Sequence, residues 1–232
     1  MKSFFEKHET IIAILLIIIY IISNSFCMQN YGMTDYKSTL VNLSLTIIIV
    51  AFIIKNKLIN YFGFKKVSNV KKYLYFIPLL LIMSVNLWTG ININNTFKEI
   101  VFYILTMLLV GFLEEIIFRG FLYKMMAKDN IKSAEIVTSI TFGIGHIINL
   151  LNGAEFIPTL LQICYAISIG YLFVTILRVC DSLWPCIITH SIVNALSIFN
   201  NNDSFVSAYI APVFLIIIPI LYTIYLRKKI RD

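Results

Sequence analysis

Long apolar runs separated by short polar connections make up most of this chain, and eight of the runs approach the roughly 20 residues that a helix needs to cross a bilayer. They cover Thr10 to Cys27, Leu40 to Ile54, Tyr73 to Trp88, Ile100 to Met126, Ala134 to Leu151, Ile157 to Leu177, Leu183 to Phe199 and Phe205 to Leu226. The pattern predicts an all-α polytopic membrane protein of about eight transmembrane helices. Several runs are short of a full span, so the helices are better defined than their ends. Asn92, Asn94 and Asn95 mark one turn region and Asn200, Asn201, Asn202 and Asp203 another, as expected of short polar connections. Pro78, Pro158, Pro185, Pro212 and Pro219 fall in or at the ends of helices, where membrane proteins tolerate them. No internal repeat, linker or second domain is visible, so residues 1–232 read as a single membrane domain.

Composition agrees with the pattern. Hydrophobic residues make up 59% of the chain and charged residues 13%, with a mean hydropathy of +0.86, too apolar for a soluble domain. The net charge of +7 has no soluble basic domain to carry a nucleic-acid site and reads instead as topology. With the N-terminus placed in the cytoplasm, the loops alternate so that all but Lys37, Lys98 and Arg119 of the 19 Lys and Arg residues fall on the inner side. Both termini are then cytoplasmic, in a multi-pass protein of a cell membrane. The basic loop from Lys55 to Lys72 reads as the usual inside-positive flank rather than a lipid or partner site. The opening MKSFFEKHET before an apolar run resembles a signal peptide, but no convincing cleavage site follows, and it reads as a retained anchor. Cys27, Cys164, Cys180 and Cys186 form no CxxC pair and are expected to be small buried hydrophobes.

One stretch breaks the apolar pattern. GFLEEIIFRG, Gly111 to Gly120, puts Glu114, Glu115 and Arg119 inside a membrane helix, where each ionisable group costs several kcal/mol unless paired and tends to mark function. Glu115 and Arg119 lie four apart on one helical face and suit a buried ion pair. Glu114 is turned about 100° away, without that partner and free to face a different cavity. The bland alternative is that all three are buried polar glue.

Besides His8, the only histidines also fall inside predicted membrane helices. Phe142 and His146 share a face, as do His190 and Asn194. Gly143 and Gly145 thin the helix beside His146 and would let a backbone or a substrate come close. Measured from the basic end at about 1.5 Å per residue, Glu114, His146, His190 and Asn194 lie roughly 10 to 20 Å deep, on three helices at one level. A shared water-filled cavity explains that coincidence. Such a set suits hydrolysis: a desolvated carboxylate with a nearby imidazole can deprotonate water, and a second imidazole with an amide can stabilise an oxyanion. Glu114, His146 and His190 could equally hold a zinc ion with an open water position, and spacing alone does not choose between the schemes. No serine or cysteine nucleophile is apparent, since Ser191 does not share a helix face with its neighbour His190.

Glu114-Glu115-x-x-x-Arg119, Phe142-x-x-x-His146 and His190-x-x-x-Asn194, in this order, resemble the CAAX-protease and bacteriocin-processing (CPBP, Abi) family of intramembrane proteases. The resemblance spans about residues 97–199, an expected protease core. It implies that Glu114 and His146 activate water, that His190 and Asn194 form the oxyanion hole, and that Glu115, Arg119 and Phe142 support them. It leaves a zinc enzyme and a metal-free glutamate enzyme both open. Its members cut prenylated CAAX proteins or, in many bacteria, serve bacteriocin immunity or pheromone maturation. The richness in Ile, Lys and Asn looks like a low-GC bacterium, which favours a membrane-associated bacteriocin or pheromone precursor as substrate. A non-catalytic scaffold or immunity protein of the same fold is the main alternative. A proton- or ion-coupled transporter is disfavoured by the lack of an inverted repeat.

Overall fold

A computed structural model describes residues 2–67, 69–201 and 204–231; of the second asparagine-rich turn, Asn202 and Asp203 lie outside the described residues. Among the described residues every regular element is helical. The principal helices are α1 (Lys2–Asn30), α2 (Tyr36–Lys55), α3 (Ile77–Ser84), α4 (Phe97–Met126), α5 (Ile131–Gly145), α6 (Phe156–Cys180), α7 (Trp184–Leu196) and α8 (Ala211–Arg231). Six helical stretches are long and apolar enough to cross a membrane, and Trp184–Phe199 is a shorter apolar one. Ile11, Ile14, Leu15, Ile18 and Ile22 of α1 stay exposed, a surface suited to lipid contact and costly in water.

Local chemistry sets most helix starts. Thr96 and Glu99 form a capping box at α4, satisfying two backbone donors reciprocally. Asp35 and Asn130 cap α2 and α5 through their side-chain oxygens. Pro185 lies in the first turn of α7, where its missing N–H is of no consequence. Asp181 ends α6 in the left-handed conformation, which aspartate tolerates better than most residues.

One expected span is corrected. The run from Tyr73 to Trp88 is not one helix: a 3-10 stretch, Val70–Phe76, precedes the eight-residue α3, and a second 3-10 turn, Val85–Leu87, follows it. Apolarity set its extent in the sequence, whereas packing against α7 and a hydrogen bond from Asn86 Nδ2 to the Val193 carbonyl (2.7 Å) set its shape. The run from Ala134 to Leu151 is retained within the candidate span Ile131–Leu151, with a local turn at His146 before a short helix at Ile148–Leu151. Cys27, Cys180 and Cys186 are buried as expected, but Cys164 is exposed.

The loops sort to two ends of the bundle. At the basic end Lys65 pairs with Asp181, Lys128 Nζ with Glu9 Oε2 (2.5 Å), and Lys72 Nζ donates to the Val179 carbonyl (2.6 Å). At the opposite end Asn92 N–H donates to the Phe199 carbonyl (2.9 Å), and Ser25 Oγ and Gln29 Nε2 both donate to Asn152 Oδ1, at 2.8 and 2.9 Å. Between these ends α4 packs most extensively against α7, and α6 against α5 and α8. That central packing positions the polar residues.

Candidate active site

Gly111 brings α4 against α7. A Cβ there would sit 2.7 Å from the backbone N and Cα of Ser191, so only glycine permits the approach, which Ser191 Oγ fastens by donating to the Leu108 carbonyl (3.1 Å). One turn further on, α4 widens into a π-helical stretch, Ile116–Leu122, immediately after Glu114 and Glu115. Such widened turns cost backbone regularity and concentrate at functional sites.

The two glutamates reach different surroundings, as their rotation on the helix predicts. Glu115 is fully buried, and its Oε1 accepts from Arg119 Nη1 at 3.0 Å, the expected ion pair, with the guanidinium itself only 1% exposed. The same oxygen lies 2.8 Å from His190 Nδ1. Because Oε1 is an acceptor, this contact makes Nδ1 the protonated nitrogen and points Nε2 the other way. Nε2 faces Glu114 Oε2 at 3.2 Å, close enough for attraction but off the axis of a hydrogen bond. At that separation an ionised Glu114 would repel a bare Nε2 and attract an Nε2–H. Glu114 Oε1 accepts from the Tyr20 hydroxyl of α1 at 2.6 Å.

Phe142 packs edge-to-face against both imidazoles, its ring centroid 5.5 Å from that of His146 and 5.6 Å from that of His190. Arg119 lies over the same ring, 4.1 Å from its centroid, a cation–π contact in a desolvated site. Gly170 leaves room for this stack, since a Cβ there would meet Arg119 Nη2 at 3.1 Å and Phe142 Cδ1 at 3.4 Å. The glycines near His146 divide their work. Gly143 touches the α6 backbone at Ile163 and Ile167, whereas Gly145 faces open space. The helix ends at His146, leaving its ring at the rim of the break.

Glu114, His146, His190 and Asn194 all line one cavity of about 370 Å³, together with Phe142. Its wall also carries Asn86, Tyr103, Asn149, Gln162 and Ser197, an arrangement of sparse polar groups among apolar ones that suits an extended peptide more than a lipid tail. Sequence reasoning missed Tyr20 and these amides. Tyr20 had a readable signal: a hydroxyl inside the run IIAILLIIIYII needs a partner when buried. Nothing in the sequence says that the partner is Glu114.

Glu114, His146 and His190, the expected zinc set, share a cavity but are not grouped closely enough to ligate one ion: among the described residues no three His, Cys, Asp or Glu side chains are arranged to hold a metal. This donor arrangement does not fit a three-ligand zinc site.

Fold and site together define a multi-pass membrane protein with an acid and imidazole cluster open to an internal cavity. Residues 96–196 match the family described as Rce1-like, type II CAAX prenyl endopeptidase Rce1-like, which bears out the family resemblance over that stretch and supports an intramembrane protease. No curated protein matches the chain.

Proposed function

We propose that this protein is an intramembrane endopeptidase in which Glu114, assisted by His146, activates water against a peptide bond in the cavity of about 370 Å³. The water oxygen attacks the carbonyl carbon while its proton passes to Glu114. As Glu114 becomes neutral it releases its hold on His190 Nε2–H, which turns with the Asn194 amide to the new oxyanion. Collapse breaks the C–N bond, and Glu114 returns the proton to the leaving amine. Glu115, beside Arg119, accepts from His190 Nδ1–H and so holds the ring with Nε2 toward Glu114 and the cavity. No step passes through a metal.

The single observation that carries this reading is the convergence of Glu114, His146, His190 and Asn194 on one cavity from three helices. With the basic end placed in the cytoplasm, the bond cut lies in the cytoplasmic half of a bacterial membrane. The substrate is a membrane-associated peptide, and a bacteriocin or pheromone precursor accords with the composition. The test is cleavage of such peptides by the purified protein in liposomes. Glu114→Ala and His146→Ala should each abolish cleavage while the protein still accumulates in the membrane; normal processing by either variant overturns its assigned role. Cleavage by a metal-free sample in chelator supports the scheme. Activity lost to chelator and restored by zinc overturns it.

A further inference from the structure

The larger cavity is not the only space that reaches Glu114. A second, smaller one of about 100 Å³ lies on its α1 side, lined by Tyr20, Asn24, Ser25, Glu114, His146 and Asn152 among others. That is room for several waters and too little for a peptide. Glu114, Phe142, His146 and Asn149 line both spaces, so the proposed base stands where they adjoin.

The smaller space is polar where a lipid-buried helix pair would otherwise be dry. Asn24 donates Nδ2 to the Tyr20 carbonyl at 3.2 Å, but its buried Oδ1 has no hydrogen-bond partner among the described residues. Buried oxygens without partners call for bound water. From Asn24 the polar groups continue along α1 through Ser25 to Gln29, both joined to Asn152, over about 8 Å of helix toward the end away from the basic loops. Gln29 is exposed there.

We propose that this α1 cavity supplies the hydrolytic water, so that water and peptide reach Glu114 from opposite sides. Tyr20 is the positioning residue: its hydroxyl occupies Oε1 and leaves Oε2 to take the proton. This rests on the hydrolytic reading above, yet it assigns work to a helix outside the stretch that matches the protease family. It also explains why a membrane-buried site need not admit water through the space that the substrate fills.

The test combines kinetics with hydroxyl-radical footprinting of the wild-type protein in liposomes, which marks side chains beside bound water without requiring turnover. Tyr20 should be modified strongly in the wild type and weakly in Asn24→Leu, which replaces the amide by an apolar group of similar size. Asn24→Leu should lower kcat about tenfold with KM within about twofold, and Asn24→Ser should restore most of that loss. Tyr20→Phe should lower kcat by a similar factor, again with little change in KM. An unmodified Tyr20 in the wild type, or full turnover in Asn24→Leu, overturns the proposal. If instead Glu114→Ala cleaves normally, the hydrolytic reading itself has failed, and the footprint still reports whether the cavity is wet.

Discussion

Glu114 and Glu135 are both carboxylates buried in a membrane bundle, and their surroundings differ in kind. Glu135, 1% exposed near the basic end, is held by two guanidiniums, Arg178 and Arg227, the latter at 3.0 Å, and it lines neither of the cavities at Glu114. Those contacts join α5, α6 and α8. Glu114, 9% exposed, has a phenol and an imidazole instead, and faces two cavities. A carboxylate clamped by two guanidiniums is taken up by contacts that tie helices together, whereas one beside a hydroxyl and an imidazole and facing open space is placed to meet water. Burial alone therefore does not distinguish a structural acid from a chemical one; the charge of the partners and access to space do.

Variants sharpen that contrast in descending order of effect. Glu115 combines both characters, since it clamps Arg119 and orients His190. Glu115→Gln should cut kcat about a hundredfold through a misoriented imidazole, and should also lower the unfolding temperature by leaving Arg119 poorly compensated; single-turnover cleavage and thermal unfolding measure the two losses separately. Unchanged kinetics would mean that His190 does not depend on its carboxylate partner. Gly111→Ala forces a methyl group into the Ser191 backbone and should cost about 1–3 kcal/mol in stability, together with a loss of rate as α4 and α7 separate. A variant as stable as the wild type would show that the helix contact is looser than drawn. Asp181→Asn removes the exposed partner of Lys65 while keeping a residue that accepts a left-handed backbone, and should change stability by less than about 1 kcal/mol.

Local spacing carried the parts of the site that lie on one helix. Glu115 with Arg119, and Phe142 with His146, follow from the helical repeat, and hydropathy located six of the long spans. Contacts between helices were out of reach. That His190 bridges both glutamates depends on Gly111 meeting Ser191, and that Tyr20 serves Glu114 depends on how α1 packs, neither of which has a sequence period. The same limit explains the corrected span and the turn at His146. Apolar composition cannot tell the 3-10 and short α-helical path of residues 70–87 from a straight span, and the glycines before His146 signalled a thin helix but not its end.

The most direct test sets Glu114→Gln against Glu135→Gln, comparing cleavage rate per folded molecule with the unfolding temperature of each. Glu114→Gln should cleave about a thousandfold more slowly at near wild-type stability, while Glu135→Gln should lose about 3 kcal/mol of stability and cleave at close to the wild-type rate as long as it stays folded. Wild-type cleavage by Glu114→Gln, or a loss of activity there that merely tracks unfolding, would contradict the account.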